Sequence, residues 1–252
     1  MKYKAVIADV DGTLIAPNAN PVTEASLRIV EAVMKAQEKG VVFTLATARS
    51  LDWIEGLRTS LHLSAPVILD NGARIYDCKK EKYTYEAFLK PWEVKEVLRI
   101  LSPFGKPIRI VDEKSRFQYT GNLIDSRVIK IMVLHIDPEL AHKIFQRMSE
   151  LPDVAVTKSI SGENPTVESI HVTHSLASKE QALVRLSEYM KIQLHEFIGI
   201  GDSYNDAGFL SLCGLKVAVA NAVPEVKAIA DYIAPSYDKD GVADVIEKFV
   251  LK

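Results

Sequence analysis

The sequence predicts an α/β fold on a parallel sheet, with an α+β module inserted in its middle. Two observations carry that expectation. Residues 1–82 and 175–252 alternate short apolar runs with amphipathic stretches of helical period, the pattern of strand–helix–strand units. Between residues 83 and 174 the order becomes helix, strands, helix, strands, with the strands closely spaced. The first and last segments are therefore expected to form one core domain, and 83–174 a domain inserted into it.

Taken in order, Ala5 to Ala8 is an apolar run that reads as a buried strand, halted by Asp9, Asp11 and Gly12. Asn18 to Pro21 reads as a loop, and Thr23 is a candidate cap for a helix over Ser26 to Lys39, closed by Gly40. Val41 to Ala46 is the second strand, parallel to the first because a helix connects them. Ser50 is placed to cap a helix reaching Leu61, and Pro66 to Leu69 is a third short strand.

In the middle segment, helices are expected at Pro91–Leu101 and Pro138–Leu151. Strands are expected at 108–111, 117–119, 128–136, 154–157 and 167–173. The alternation then resumes. A helix spans Ser178 to Met190 and a strand Phe197 to Ile200. A short helix follows, then a strand at 216–219, a helix at 224–230, a strand at 232–234 and a last helix at 240–249.

The 252 residues are 48% hydrophobic and 25% charged, with a net charge of −2, as in an ordinary globular protein long enough to bury a large core. Basic and acidic residues balance in the middle segment, so neither it nor the whole chain carries the electrostatic footprint of a nucleic-acid binder. No apolar run approaches the roughly 18 residues of a membrane span, and no signal-peptide pattern opens the chain. A cytoplasmic protein with no membrane partner is expected. Cys78 and Cys213, far apart in sequence, suggest free thiols rather than a disulfide framework or a zinc site.

Chemistry concentrates at strand ends. Asp9 and Asp11, at i and i+2 of an extended chain, point to one face at the carboxyl end of a strand, where open α/β sheets bind ligands. Two carboxylates brought together repel unless a cation or proton lies between them, and a hard divalent cation such as Mg²⁺ suits oxygen donors. A carboxylate so held is also a nucleophile toward phosphorus. An Asp-Gly hairpin turn would give the same residues a purely structural part.

Asp202, Asn205 and Asp206 repeat this logic after the strand ending at Ile200, with helix capping by Asp202 or Ser203 as the alternative. Thr47 can donate to a phosphate oxygen or cap a helix. Lys179 lies in a helix first turn, slightly unfavourable for a cation, and can be a point charge on a phosphate.

In chain order these features read Asp9-Val10-Asp11-Gly12-Thr13, Thr47-Ala48-Arg49, Asn71-Gly72-Ala73, Ser178-Lys179 and Gly201-Asp202-Ser203-Tyr204-Asn205-Asp206. The chain resembles the haloacid dehalogenase-like (HAD) hydrolases, and among them the Cof-type phosphatases with an inserted α/β cap. The runs Val219–Lys227 and Asp240–Ala243 fit the same group. Glycines usual in that group are replaced by Ala48, Leu176 and Glu180.

The resemblance implies a Rossmann-like core and a Mg²⁺-dependent phosphatase of small phosphomonoesters such as sugar phosphates. It assigns Asp9 as the nucleophile that forms an aspartyl-phosphate and Asp11 as general acid and base. Mg²⁺ would be held by Asp9, the Asp11 backbone carbonyl and Asp202. Thr47 and Lys179 would bind the phosphoryl oxygens, with Ala48, Arg49, Asn71, Gly72 and Asn205 beside phosphate or substrate. Asn205 and Asp206 would orient these groups.

A phosphomutase-like phosphotransferase and a non-catalytic phosphate-binding regulator use similar constellations; the regulator is disfavoured by the length of the chain and its inserted domain. Arg109, Arg116 and Arg127 are candidate substrate contacts or solvated charges. His171 and His174, at i and i+3 of a strand, point apart and so do not chelate together. Trp53 and Trp92 read as packing residues. Oligomeric state leaves no mark in the sequence.

Overall fold

The structure is a computed structural model and describes residues 2–17, 24–122, 127–160 and 166–252. The loop at Asn18–Pro21 and the cap at Thr23 lie outside the described residues. The chain opens with β1 (Ala5–Ala8), α1 (Leu27–Glu38), β2 (Val42–Leu45) and α2 (Leu51–Ser60), then β3 (Val67–Leu69), β4 (Arg74–Asp77) and β5 (Lys82–Glu86). The middle segment holds α3 (Pro91–Leu101), β6 (Ile108–Asp112), β7 (Arg116–Gln118), β8 (Val128–Ile136), α4 (Pro138–Ser149), β9 (Val154–Ile160) and β10 (Glu168–His174). The last segment holds α5 (Lys179–Met190), β11 (Phe197–Gly201), α6 (Ala207–Leu212), β12 (Leu215–Val219), α7 (Pro224–Ile229), β13 (Tyr232–Ala234) and α8 (Gly241–Phe249).

The central sheet is parallel, in the order β13-β12-β11-β1-β2. β1 lies inside it, buried at all four residues, as a strand covered on both faces must be. α1 packs on the sheet through Ile29, Ala32, Val33 and Ala36, which recur at helical period. Its N-terminus is capped by Ser26, whose hydroxyl accepts from the Ile29 amide at 3.2 Å.

The third strand departs from the central sheet. Among the described residues, β3 meets it through an isolated parallel bridge between Ala46 and Ile68, and it pairs antiparallel with β4, which pairs with β5. The β4–β5 hairpin was not anticipated, because buried Arg74 and Asp77 break the apolar alternation that marks a strand. Ile75, Tyr76, Tyr83 and Tyr85 of this hairpin pack on the core cluster.

The inserted cap is an antiparallel sheet in the order β7-β6-β8-β10-β9. One face, with Ile110, Ile131, Val133, Ile170 and Val172, is covered by α3 and α4 to form a second hydrophobic cluster. The opposite face turns toward the core. Ala73, Ala87, Ile129 and Ala177 form a small third cluster where the two parts join. No helix among the described residues is long and apolar enough to cross a membrane.

Candidate active site

Sheet register assembles the site. Ala8, the last residue of β1, lies opposite Leu45 on one side and Ile200 on the other. The chain segments carrying Asp9, Thr47 and Asp202 therefore leave the sheet at one edge. The Asp9 amide continues the ladder by donating to the Ile200 carbonyl at 2.9 Å.

Gly12 then turns the chain with φ +83°, and a side chain there would place its Cβ 2.6 Å from Asp202 Oδ2. The turn is pinned by Asn221, whose Nδ2 donates to the Gly12 carbonyl at 2.7 Å. Thr13 Oγ1 donates to Asp202 Oδ1 at 2.9 Å, tying the first acidic loop to the second.

Asp9, Asp202 and Asp206 offer carboxylate oxygens that all lie within 4.8 Å of one another. Lys179 reaches into this cluster from the first turn of α5, donating to Asp9 Oδ1 and Asp206 Oδ1 at 2.6 Å each. Its ammonium is buried. Burial works against that charge, but Asp206 and Asp9 outweigh burial and raise the ammonium above its usual range.

The same burial raises the Asp9 carboxyl well above the carboxylate range, against the pull of Lys179 and with Asp206, Asp202 and Asp11 adding to it. Asp202 is pushed up to about 7 by burial and the Asp206 charge, while the Thr13 hydroxyl opposes. Three carboxylates thus face one ammonium in a buried site. That excess of negative charge, with oxygen donors only, fits a hard divalent cation. Asp206 is the most occupied of the three: its Oδ1 takes Lys179, and its Oδ2 accepts from the Asp202 and Ser203 amides at 3.0 and 2.9 Å. Asp9 and Asp202 have more capacity left for an ion.

Asp11 is set apart from this cluster by a different cation. Arg49 grips it with Nε to Oδ2 at 2.7 Å and Nη2 to Oδ1 at 2.5 Å, a bidentate fork. Two aspartates separated by one residue thus stand in unlike surroundings, one buried against an ammonium and one at the edge of the cleft against a guanidinium.

A sequence profile of the haloacid dehalogenase-like hydrolases matches residues 6–124 and 112–246. The chain belongs to that family. It is 28% identical over 253 residues to the 5-amino-6-(5-phospho-D-ribitylamino)uracil phosphatase YcsE of Bacillus subtilis, covering 98% of this chain and 96% of that one. It is 27% identical to a phosphoglycolate phosphatase of Staphylothermus marinus, covering 97% and 96% of the two chains. In fold it is similar to SMU.1108c of Streptococcus mutans, with a TM-score of 0.85 at 20% identity over 99% of this chain and all of that one. With these full-length matches to phosphatases, this HAD-like hydrolase is a phosphatase.

The remaining sequence candidates of the hydrolase surround the same cleft. Thr47 is buried and its Oγ1 accepts from the Arg49 amide at 3.1 Å, which leaves its hydroxyl proton to donate. Asn71 Oδ1 accepts from Asn205 Nδ2 at 3.2 Å, and its own Nδ2 faces Thr157 Oγ1 of the cap at 3.4 Å. Asp70 and Asn71 take positive φ of 51° and 57°, followed by Gly72 at 97°. A Cβ on Gly72 would sit 2.3 Å from the Ser178 carbonyl, so the glycine lets this turn press against the start of α5 and hold Lys179 in place.

Ser178 caps α5 by accepting from the Gln181 amide at 3.1 Å. Ser50 stands at the cap position of α2, but its hydroxyl donates to Asp52 at 2.6 Å. Leu176 is exposed, and Glu180 adds an acidic side chain to the first turn of α5.

Four site residues carried no assignment in the sequence. Thr13 and Asn221 were within quoted motifs, and their neighbours were the only available signal. Asp70 and Lys130 are the other two: buried Lys130 of β8 donates to Asp70 Oδ1 at 2.9 Å and to the Ala48 carbonyl at 2.8 Å, locking cap to core. A lysine inside an apolar strand was the visible anomaly. Of the histidines, His171 Nε2 pairs with Ser159 Oγ at 3.1 Å, and His174 Nδ1 accepts from the Leu176 amide at 3.1 Å.

Proposed function

We propose that the protein is a Mg²⁺-dependent phosphomonoester hydrolase acting through an aspartyl-phosphate on Asp9. One observation carries this reading: Asp9 shares a buried site with two further carboxylates and one ammonium, while its near neighbour Asp11 is held separately by Arg49. A bound Mg²⁺ would neutralise phosphoryl oxygens and so permit an anionic nucleophile to approach. Asp9 and Asp202 would hold it through their carboxylates and Asp11 through its backbone carbonyl.

The chain's own groups divide the work. A carboxylate oxygen of Asp9 forms the bond to phosphorus as the bond to the leaving alcohol oxygen breaks. Asp11, protonated at an oxygen that Arg49 releases, gives that proton to the leaving oxygen, and in the second half it takes a proton from the water that displaces Asp9. Lys179 and Thr47 bind phosphoryl oxygens not engaged in bond making. Arg49 fixes the plane of the Asp11 carboxyl, and Asp206 anchors Lys179 and the 202–203 backbone.

We read residues 83–174 as the cap that closes over this site and excludes water. Small phosphorylated metabolites are the substrates that suit an enclosed cleft, and two relatives are named for phosphoglycolate and for a phosphoribitylamino-uracil. A cytoplasmic setting is supported by two free, buried cysteines, Cys78 and Cys213.

Phosphate release from a panel of small phosphomonoesters tests the proposal, run with Mg²⁺, with EDTA, and with Asp9→Asn. Release that needs both Mg²⁺ and Asp9 is expected. An intact, Mg²⁺-loaded protein that releases no phosphate, or an Asp9→Asn variant that matches it, overturns the proposal.

A further inference from the structure

The face of the cap sheet that turns toward the core carries three cations, Arg109, Arg116 and Lys130. Arg109 of β6 lies opposite Met132 of β8, which lies opposite His171 of β10, which lies opposite Thr157 of β9. One row along the same face, Arg116 of β7 lies opposite Val111, which lies opposite Lys130. Lys130 and Thr157 touch the core at Ala48, Asp70 and Asn71, so this face looks onto the candidate catalytic cleft.

Arg109 pairs in register with Gln118 and Arg116 with Val111, which makes the two arginines diagonal neighbours on adjacent strands. Diagonal neighbours lie about 7–8 Å apart, within reach of long side chains. Like charges so placed repel.

Lys130 is neutralised by Asp70, and Arg49 by Asp11. Arg109 and Arg116 have no carboxylate partner among the described residues. The acidic groups that face Arg116 are Asp52, which accepts from Ser50, and Asp70, which is bound to Lys130. Arg116 instead lies over the Trp53 ring, its guanidinium carbon 4.8 Å from the centroid, and Arg49 approaches the same ring at 5.8 Å. Trp53 therefore links the Arg116 guanidinium to the one that grips Asp11. The field of this face is also felt at His171, pushed down to about 3 by burial with Lys130 and Arg116 adding.

We propose that Arg109 and Arg116 form an anion subsite facing the catalytic carboxylates, which selects phosphomonoesters whose leaving alcohol carries a second anionic group, a carboxylate or a second phosphate. Guanidinium forks match the paired oxygens of either group. The proposal deepens the phosphatase reading and rests on it for the position of the scissile phosphate.

The test compares esters matched except for that charge: 3-phosphoglycerate with glycerol 3-phosphate, and fructose 1,6-bisphosphate with fructose 6-phosphate. The native protein is expected to favour the charged member of at least one pair by tenfold or more in kcat/KM, and the favoured pair tells carboxylate from phosphate. The Arg109→Gln/Arg116→Gln variant should reduce that ratio to within about twofold of unity. Both arginines are exposed, so folding should survive, and the single variants serve if it does not. A native ratio near unity in both pairs overturns the subsite, as does a ratio that survives the substitutions.

If no ester is turned over, the phosphatase reading has failed and calorimetric binding decides the subsite. Asp9→Asn protein with Mg²⁺ should bind 3-phosphoglycerate at least tenfold tighter than glycerol 3-phosphate, with the preference lost on replacing both arginines. Equal binding of the two overturns it.

Discussion

Arg49 binds Asp11 through two parallel hydrogen bonds, at 2.7 and 2.5 Å, from a loop that enters the cleft at the end of β2. The pair fixes the Asp11 carboxyl in one plane beside the mouth of the site. Asp9, two residues earlier, has no such fork and instead accepts from Lys179 at 2.6 Å.

This division predicts different kinetic phenotypes. Asp11→Asn should lower kcat by about 10²–10⁴-fold, the usual worth of a positioned acid–base group, and leave the Mg²⁺-induced rise in melting temperature in place. Asp9→Asn should abolish turnover and also weaken that rise. Arg49→Lys keeps the charge but loses the fork, and is expected to lower kcat about tenfold because orientation is lost. Steady-state kinetics alongside thermal melts in Mg²⁺ and EDTA separate the three. Identical thermal responses for Asp9→Asn and Asp11→Asn would contradict the division.

Lys179 is the counterion of the buried cluster, so its loss should be a stability defect as well as a catalytic one. Removing one partner of a buried ion pair costs about 3–5 kcal/mol, because the other charge is left uncompensated. Lys179→Met is expected to fall in that range by urea denaturation in EDTA. Asp206→Asn, which removes the carboxylate excess while keeping most hydrogen-bonding shape, should partly restore the double variant. Unchanged stability in Lys179→Met would show that the cluster replaces the lost ammonium by taking up a proton.

The central sheet and the order of its helices were legible because parallel strands buried on both faces are continuous apolar runs. Val6-Ile7-Ala8 and Ile198-Gly199-Ile200 are such runs, each halted by the acidic residues that follow. Strand ends then marked Asp9, Thr47 and Asp202, since chemistry in such sheets collects at the carboxyl edge. The β4–β5 hairpin was hidden because part of what permits burial of Arg74 and Asp77 is remote in sequence: Arg74 reaches the Asp112 carbonyl and Asp77 the Tyr189 hydroxyl. Lys130 stands out as a lysine inside an apolar strand, but its partners Ala48 and Asp70 belong to the other part of the molecule and were hidden for the same reason. Pairings across a sequence separation of this kind leave no local pattern to read.

Lys130 and Asp70 supply a test of how the cap is held. Both are almost wholly buried, and Asp70 Oδ2 has no hydrogen-bond partner among the described residues. Lys130→Met should destabilise by up to about 3–5 kcal/mol, since it leaves the buried Asp70 carboxylate with Arg74 Nη1, 3.9 Å from Oδ2, as its remaining counterion among the described residues. Lys130→Met/Asp70→Asn should recover part of the loss, giving a coupling energy of about 1–3 kcal/mol in a double-mutant cycle. Additive effects would mean that the two side chains do not depend on each other. KM should also rise in Lys130→Met, because the Ala48 carbonyl loses its tether to the cap.

The acidic cluster makes the metal response depend on pH. With its folded value raised to about 7 from an ordinary 3.8, the Asp202 carboxyl is protonated more readily folded than unfolded. Its contribution to stability is fully present below the ordinary carboxylate range and is lost as pH rises through about 7. Asp9 is shifted in the same direction. His171 has the opposite sign: lowered to about 3 from 6.5, it favours the folded state above 6.5 and loses that contribution as pH falls toward 3. A melting curve against pH in EDTA alone therefore mixes two opposing trends. The difference between Mg²⁺ and EDTA isolates the cluster, because His171 stands outside it. A bound cation relieves carboxylate repulsion only where the carboxylates are ionised, so the Mg²⁺-induced rise in melting temperature should be largest above pH 7 and shrink steadily toward pH 5. Asp202→Asn should abolish most of that pH dependence. A Mg²⁺ effect equal at pH 5 and pH 8 in the native protein would show that ion binding does not compete with protons at Asp9 and Asp202.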